Sequence, residues 1–529
     1  MKTISKGPWL GINNRLPATA LHVDKVGDFL ADAENIDIDN AGQLRRRQAA
    51  ALIHPLAAPH SLYMTSDTAG FMVMASELYA VTLPTYSATS IKALTSNAAM
   101  SYAEIGGVLF YSNGTDSGRI VGGVALPMAF PTPDAPTVAG GIGGDLPAGK
   151  YRVAVAYCNP VTGEEGGVSP SQTIATIATG GLRITLPPTT TGATNANVYL
   201  TTLNGSVLML STSVVLGLWP TVDVIAEASG RPAMQRHEKT LPAGRLFAFQ
   251  GALCSFKGHE VYEGLPHRHG YCRQLGSRIP FVGDVSNVVP TENGVYVVAD
   301  ETFWLAGPAM TEAEKVSPIM PYGGVPGTAF TFPDDTKRVG WFGADGVVIA
   351  DKLGQAKSVM ADAIDLVAPG FGVSAVFASG GYLRVVSCGW CLNLESNAAT
   401  RYAGFDFTSI SGEYATKADG IYATEAAGKV DAFANLGKES FDSEQKKSLP
   451  AIYLGVASTA PLAVTVTLPD GTEYDYEARS YSETLDMHRV DPGKGLRETW
   501  FGLIIKNTDG GDFTLASQSF APIASTRRI

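Results

Sequence analysis

Short apolar runs separated by polar turns recur along most of the chain. Phe71–Met74 and Leu78–Val81 form one such pair of runs, and similar pairs lie within 108–121, 245–255, 295–305, 339–350 and 375–386. Runs this short on either side of a turn predict β-hairpins rather than helices. The pairs recur at about 40–50 residues, the period of four-stranded propeller blades, which leaves room for roughly six or seven blades.

The hairpin pattern is interrupted after the second unit. Prolines cluster between residues 127 and 136 (Pro127, Pro131, Pro133 and Pro136), which is typical of a linker. Behind them Tyr151, Val153, Val155 and Tyr157 alternate with Arg152, Ala154, Ala156 and Cys158, a pattern that predicts a half-buried strand. The hairpins resume beyond Pro242. The interruption therefore predicts an inserted sandwich that resembles a fibronectin type III domain.

These patterns predict an all-β chain: an irregular β-propeller with an inserted fibronectin-III-like β-sandwich and a small C-terminal β domain. Alternating apolar positions at Leu462, Val464, Val466 and Leu468 indicate the last domain. The predicted divisions are an N-terminal arm (1–47), a first part of the propeller (48–132), the inserted sandwich (133–235), a second part of the propeller (236–445) and the C-terminal β domain (446–529).

The N-terminal arm contains its own hairpin signal. Ile36 and Ile38 alternate with polar residues, Asn40-Ala41-Gly42 provides a turn, and Leu44 restarts the apolar pattern. Gly42 supplies the positive φ that such a turn needs. The arm then ends in a run of three arginines, Arg45–Arg47.

Composition agrees with a turn-rich β protein and argues against one class of partner, nucleic acid. The chain has 529 residues with 58 Gly and 31 Pro, and only 17% of its residues are charged. Its 50 acidic residues outnumber 39 Lys and Arg, giving a formal net charge of −11. That sign disfavours tight DNA binding, because DNA-binding proteins neutralise phosphates with cations.

Cysteine usage and hydropathy suggest where the chain is made. Its five cysteines are scattered and odd in number, so a disulfide framework is not expected. The first residues lack the apolar region of a signal peptide, and no apolar run approaches the length of a membrane span. We therefore expect assembly in a reducing cytoplasm.

Three motifs suggest chemistry, and each departs from its pattern. Asp37–Gly42 begins like a calcium loop but has Ala41 and Gln48 where oxygen ligands are needed. Gly144–Lys150 has the spacing of a phosphate-binding loop, but Tyr151 follows and a strand replaces the helix. Cys388 and Cys391 have redox or zinc spacing, with His267, His269 and Cys272 as conceivable further ligands. Structural cysteines in a blade are the favoured interpretation.

No catalytic arrangement emerges from the sequence. A nucleophile elbow is lacking, and the acidic pairs Glu164-Glu165 and Asp334-Asp335 fall in predicted turns. The sequence prediction is therefore a protein that is not an enzyme, with no catalytic, cofactor-binding or metal-binding residues and no cofactor.

Both ends of the chain carry a family resemblance. The opening Gly7-Pro8-Trp9-Leu10-Gly11-Ile12-Asn13-Asn14-Arg15 and the stretch 32–47 resemble the N-terminus of tail proteins of tailed bacteriophages, in particular the nozzle or tail-tube proteins of short-tailed phages. Residues 493–503 and 525–529 resemble the closing strands of the same group. The resemblance implies a structural virion protein of the phage tail, without catalytic residues.

The resemblance also implies how the chain would assemble and with which partners. The chain would form a homo-oligomeric ring, a hexamer in this family, that continues the DNA exit channel. Its partners would be head-to-tail connector or adaptor proteins and tail fibre or tail tip proteins, with double-stranded DNA only as transient cargo during ejection. Expected assembly residues are the aromatic and basic side chains near the two ends: Trp9, Arg15, Arg45, Arg46, Arg47, Arg497, Arg527 and Arg528.

Two other hypotheses remain open. The chain could be a host-surface or carbohydrate-binding tail protein, with the inserted sandwich as the sugar-binding module. Exposed aromatic residues on that sandwich would favour this interpretation. The third hypothesis is a propeller glycosidase or depolymerase.

Overall fold

The computed structural model describes residues 4–176, 178–187, 192–217, 220–313, 315–379, 381–441 and 443–524. Within these ranges the regular structure is β-sheet, and the one helical element is a 3₁₀ turn at Met310–Glu312. The predicted all-β class is therefore confirmed.

The N-terminal arm contributes seven short strands. They are β1 (Ile4–Lys6), β2 (Trp9–Ile12), β3 (His22–Val23), β4 (Gly27–Leu30), β5 (Asp32–Glu34), β6 (Ile36–Ile38) and β7 (Leu44–Arg46). Strands β6 and β7 form the predicted hairpin, with Gly42 at φ +73° in its turn. A Cβ on Gly42 would lie 2.5 Å from Pro8 Cβ, so glycine also lets the turn pack against the start of the arm.

The next nine strands begin the propeller. They are β8 (Ala49–Pro55), then β9 (His60–Met64), β10 (Ala69–Met74), β11 (Glu77–Thr82) and β12 (Ser87–Ala93) of the first blade, and β13 (Ser101–Ile105), β14 (Val108–Ser112), β15 (Ser117–Val121) and β16 (Val124–Pro127) of the second. Each blade is a four-stranded antiparallel meander.

A two-sheet insertion follows the second blade. Its strands are β17 (Thr137–Leu146), β18 (Gly149–Asn159), β19 (Glu164–Glu165), β20 (Gln172–Thr176), β21 (Gly180–Thr185), β22 (Asn195–Thr201), β23 (Leu208–Val215) and β24 (Thr221–Val224). One sheet has the order β17-β21-β24 and the other β19-β18-β22-β23, with β20 beside β18. The fibronectin type III likeness is not confirmed and stays a prediction.

Strand β18 differs from its predicted pattern. Ala154 and Ala156 are as fully buried as Val153 and Val155. The second face of the strand is covered because Ala154 and Ala156 pack with Tyr199, among others, in a separate apolar cluster. The strand is therefore buried on both faces. An alternation of large apolar residues with small ones such as alanine does not reveal that the second face is buried too.

Five further blades complete the ring. Their strands, with the small pair β25 and β29, are β25 (Glu238–Thr240), β26 (Arg245–Phe249), β27 (Ala252–Lys257), β28 (Glu260–Tyr262), β29 (Tyr271–Arg273), β30 (Arg278–Pro280), β31 (Asn287–Pro290), β32 (Gly294–Val298), β33 (Thr302–Ala306), β34 (Lys315–Met320), β35 (Phe330–Thr331), β36 (Val339–Gly343), β37 (Gly346–Ala350), β38 (Ala356–Ser358), β39 (Ser374–Ser379), β40 (Tyr382–Ser387), β41 (Trp390–Asn393), β42 (Ala399–Arg401), β43 (Ser409–Ser411), β44 (Tyr414–Lys417) and β45 (Gly420–Ala426).

The ring closes by joining distant parts of the chain. Strand β8 pairs with β45 to complete the seventh blade, and Leu52 lies opposite Tyr422. The innermost strand of this blade, β43, then packs beside β9 of the first blade. Pairing a strand from the start of the chain with the last blade leaves no exposed edge at the point of closure.

The C-terminal domain is a β-sandwich built around strands of the arm. Its strands are β46 (Phe433–Glu439), β47 (Lys447–Ser448), β48 (Ile452–Ser458), β49 (Leu462–Thr467), β50 (Glu473–Glu477), β51 (Asp486–Val490), β52 (Phe501–Asn507), β53 (Phe513–Phe520) and β54 (Ile523–Ala524). One sheet has the order β51-β48-β53-β7-β6, with β1 beside β53. In the other, β5 lies between β42 of the sixth blade and β46.

This connection makes one nine-stranded sheet from the sixth blade, the arm and the sandwich. Its order is β39-β40-β41-β42-β5-β46-β52-β49-β50. Because β46 pairs with β52, the C-terminal domain begins before residue 446, the boundary that the sequence predicts. The charged stretch 437–447 contains the end of β46 and the first residue of β47, Lys447.

Candidate functional site

The arm meets the last two blades through a buried polar cluster, the arm junction, formed by Asn35, Asp37, Arg47, Arg384 and Tyr402. The Arg47 side chain is buried and donates from Nε to Asn35 Oδ1 at 2.8 Å. It also donates to the backbone carbonyls of Gln48 and Ala403, each at 2.9 Å. Arg47 therefore ties the end of the arm to the segment between the sixth and seventh blades.

Asn35 and Asp37 extend the arm junction. Asn35, at φ +57°, donates through Nδ2 to the Asp431 carbonyl at 2.8 Å, on the way to the C-terminal domain. Asp37 Oδ2 lies 3.3 Å from Arg384 Nη1, and its Oδ1 accepts a hydrogen bond from the Tyr402 hydroxyl. Burial, and then the charge of Asp37, raise the pKa of Tyr402 well above its usual value, so this phenol is a proton donor at neutral pH.

The other expected assembly residues lie in different environments. Trp9 is buried in the core shared by the arm and the C-terminal sandwich. Arg45 pairs with Asp39 at 3.0 Å and Arg46 with Asp512 at 3.3 Å. The side chains of Trp9, Arg45, Arg46 and Arg47 thus make contacts within the chain.

Four expected assembly residues remain: Arg15, Arg497, Arg527 and Arg528. Arg15 and Arg497 are exposed, while Arg527 and Arg528 lie outside the described residues. Whether any of these side chains contacts another subunit stays a prediction.

An exposed apolar surface lies on the C-terminal sandwich, at the edge formed by β50, β51 and the loop between them. Its large side chains are Tyr474, Tyr481, Leu485 and Met487, with exposures of 41%, 54%, 62% and 53%. We call these four residues the edge surface. Strands β50 and β51 end their sheets among the described strands, and a bridge between Ala478 and Val490 joins the two edges. Sheet edges with exposed apolar residues are typical contact sites for other chains.

The seven blades enclose a central cavity of ≈ 310 Å³. Every blade contributes to its lining through its innermost strand or the residues just before it, represented by Ser61, Ser101, Leu246, Val288, Ala329, Ser374 and Ile410. Phe371, which is 50% exposed, also lines the cavity. A cavity of this size at the axis of a propeller is large enough for a small ligand.

Arg245 is the one charged side chain among the described lining residues of this cavity. It stands at the first position of β26, and in the described ranges it makes no ion pair and no side-chain hydrogen bond. Burial lowers the pKa of Arg245, as expected for a guanidinium without a counter-ion. Arg245 is not among the residues predicted from the sequence, where its one signal is that an arginine opens the otherwise apolar run 245–249.

Serine hydroxyl groups in the lining of the cavity already hold neighbouring blades together. Ser101 Oγ accepts from the Leu246 amide at 3.0 Å, and Ser61 Oγ accepts from the Met100 amide at 2.8 Å. Ser374 Oγ donates to the Thr328 carbonyl at 2.7 Å. These hydrogen bonds hold the strands of the cavity wall in place, so Arg245 extends from a rigid part of the structure.

The motifs that suggested chemistry occupy structural positions. Residues 144–150 comprise the end of β17, a two-residue turn and the start of β18, so a strand follows where a phosphate-binding loop needs a helix. The sulfur of Cys391 is buried at the arm junction, 3.5 Å from Asp37 Oδ1, and Cys388 lies in the turn before β41. Asp39 Oδ1 accepts from the amides of Ala41 and Gln43, as in an Asx turn. Within the described ranges, no three His, Cys, Asp or Glu side chains are grouped to hold a metal ion.

The inserted sandwich offers little aromatic surface in its described part. Tyr151, Tyr157 and Tyr199 are all buried, and Trp219 lies outside the described residues. The exposed aromatic face that would favour this sandwich as the sugar-binding module is therefore not seen in the described residues. Within those residues, no helix has the length and hydropathy needed to span a bilayer.

No protein-family model and no curated protein sequence matches this chain. Solved structures that match include the extracellular domain of a one-component system from B. thetaiotaomicron, with 9% identity, coverage of 93% of this chain and 91% of the other, and a TM-score of 0.21. A glycoside hydrolase family 43 arabinoxylan arabinofuranohydrolase from Bacillus subtilis matches with 10% identity, coverage of 75% and 96%, and a TM-score of 0.18. An exo-β-1,3-galactanase from Phanerochaete chrysosporium matches with 10% identity, coverage of 88% and 100%, and a TM-score of 0.17.

These matches correct one sequence prediction. The expectation that the chain is not an enzyme is contradicted, because glycoside hydrolases are among the matched structures. The TM-scores are far below 0.5, so the matches transfer no reaction, substrate or catalytic residue to this chain.

Proposed function

We propose that this chain is a structural subunit of a bacteriophage tail, assembled as a ring that continues the DNA exit channel. The observation that carries the proposal is the position of the N-terminal arm, the segment on which the resemblance to tail nozzle proteins rests. Strand β5 joins the sixth blade to the C-terminal sandwich in one continuous sheet. A subunit built this way transmits force between its parts as a single body, which suits a tail component.

The arm is held by more than strand pairing. Trp9 is buried in the core that unites the arm with the sandwich, and Arg47 bonds to Asn35 within the arm and to Ala403 between the sixth and seventh blades. The residues that resemble the phage proteins are therefore those that fasten the domains together. A family of ring subunits would be expected to retain such residues whatever their surface contacts.

The edge surface supports assembly into a ring. A homo-oligomeric ring needs a surface on each subunit that contacts a different surface of the next. Exposed tyrosine, leucine and methionine side chains beside sheet edges provide apolar area for such a contact. We propose that the edge surface contributes to the contact between subunits.

Electron microscopy and light scattering of the purified full-length protein test this proposal. The expected result is a ring with a central channel and a mass that is a whole multiple of 55.5 kDa, either alone or on addition of neighbouring tail proteins. A protein that stays monomeric under all these conditions would contradict it.

A pair of matched variants tests the contact itself. Leu485→Asp introduces a charge into the edge surface and is expected to shift the population from rings to monomers. Val282→Asp is the control, because Val282 is fully exposed on the propeller and distant in sequence from the sandwich. Rings of normal size from Leu485→Asp would remove the edge surface from the proposed contact.

A further inference from the structure

We propose that the central cavity of the propeller binds a carboxylate-bearing sugar, with Arg245 as the counter-ion of the carboxylate. This site is separate from the surfaces that serve assembly, so the inference does not depend on the proposed function. It rests on the charge of the cavity, on the engagement of its other polar groups, and on an aromatic ring in its lining.

Arg245 is the only charged group among the described residues that line the cavity, and no described acidic residue neutralises it. A guanidinium carries five donors in a planar fork that matches the two oxygens of a carboxylate. A partly buried cation without a partner is unfavourable, and a bound anion would relieve that cost.

The single cation of the cavity favours a carboxylate over a phosphate. A carboxylate carries one negative charge, whereas a phosphate monoester carries about −1.5 to −2 at neutral pH. The described lining supplies one positive charge, which matches the single negative charge of a carboxylate. A phosphate bound there would keep part of its own negative charge uncompensated. The hydroxyls of Ser101 and Ser374 in the cavity lining are already bonded to neighbouring blades and do not offer a second anion site.

An aromatic side chain in the cavity lining suits the body of a sugar. Phe371 contributes an aromatic side chain that is half exposed, although it lines the cavity. Apolar faces of sugar rings pack against aromatic rings, and a cavity of ≈ 310 Å³ has room for one monosaccharide unit rather than for an extended chain. A cation and an aromatic ring in one cavity suit a uronic acid.

Titration calorimetry with D-galacturonic acid at low salt tests the inference on the full-length protein. Neutral D-galactose, acetate and D-galactose 6-phosphate are the comparison ligands. We expect galacturonic acid to bind at least tenfold more tightly than each of them. Failure of galacturonic acid to bind the wild-type protein, or equal binding of galactose, would overturn the proposal, and tighter binding of the phosphate would overturn the choice of a carboxylate.

Two variants locate the site. Arg245→Gln is expected to weaken galacturonic acid binding at least tenfold, while Arg273→Gln, which replaces an exposed arginine on β29, should leave it unchanged. Because Arg245 has no partner to lose in the described structure, the variant should keep the thermal unfolding temperature of the wild type. Unchanged binding in Arg245→Gln would overturn the site.

A second substitution keeps the test valid if Arg245→Gln folds poorly. Phe371→Ala removes a half-exposed ring and is expected to weaken galacturonic acid binding several-fold, with little effect on acetate. In the wild-type protein, saturating galacturonic acid should also raise the unfolding temperature, because a ligand that binds only the folded state stabilises it. Equal effects of Phe371→Ala on both ligands would remove the ring-stacking part of the proposal.

Discussion

The guanidinium of Arg47 lies over the ring of Tyr402, with 5.0 Å between Cζ and the ring centroid. Arg47 is the last residue of the arm, and Tyr402 follows the last strand of the sixth blade. A cation over an aromatic face in a buried setting is stabilising, and here it acts together with three hydrogen bonds from the same side chain. The contact joins the beginning of the chain to the part of the propeller that carries the C-terminal domain.

Replacing Arg47 should therefore destabilise the connection between the arm and the blades. Arg47→Ala leaves the acceptors at Asn35, Gln48 and Ala403 without this donor, at an expected cost of about 3 kcal/mol. Arg45→Ala is the control, since its partly exposed pair with Asp39 is worth at most about 1 kcal/mol. Urea unfolding of both variants measures the difference, and equal midpoints would show that Arg47 does not hold the arm.

Much of the propeller is predictable from the sequence because its signals are local. The hairpin around Gly42 follows from alternation and one glycine, and the blades follow from repeated apolar runs. The partners of Arg47 are not predictable in this way, since Tyr402 is brought to it only by closure of the ring. Arg245 was missed for the same reason, because a sequence does not show that a cation lacks a neighbouring carboxylate.

Asp116 gives the first two blades a pH-dependent contact. Its carboxylate accepts hydrogen bonds from the Thr95 amide and hydroxyl, the Ser96 amide and Asn113 Nδ2. Partial burial alone would raise the pKa of Asp116, but these hydrogen bonds hold it below the usual value of an aspartate. A carboxylate with a lowered pKa stabilises the fold above its unfolded pKa, and that stabilisation is lost as the pH falls through the folded pKa.

Asp116→Asn should thus be less stable than the wild type at pH 7, by about 1 kcal/mol. The difference is expected to shrink as the pH falls below about 4, near the unfolded pKa of aspartate. Asp67→Asn, at an exposed position in the first blade, is the control and should show no such trend. Denaturation at several pH values checks this, and a difference that is constant down to pH 3 would contradict the role of the charge.

The inserted sandwich should fold when excised as residues 133–235. Its main apolar cluster, which includes Tyr151, Val153 and Val198, lies entirely within this range. Phe130, outside it, packs against Tyr157, so a fragment starting at residue 127 should be more stable than the one starting at 133. Circular dichroism and thermal melts compare the two fragments. A random-coil spectrum from both would show that the insertion needs the propeller to fold.

A subunit of the proposed tail ring must let duplex DNA pass without holding it. The run Arg45–Arg47 is the strongest basic signal in the sequence, but Arg45 and Arg46 are paired with acidic residues and Arg47 is buried. Each cation that is engaged within the chain is one fewer available to neutralise phosphates. With a net charge of −11 as well, the free protein should not retain duplex DNA in a gel shift at low salt.

A variant with Glu473→Lys and Glu477→Lys on the exposed edge of β50 removes two negative charges and adds two positive ones at one place. This variant is the control for the sensitivity of the gel shift to a basic surface. If the wild-type protein binds tightly and salt releases it, a basic surface must face the duplex, and passage at low friction would no longer follow from the charge of the chain.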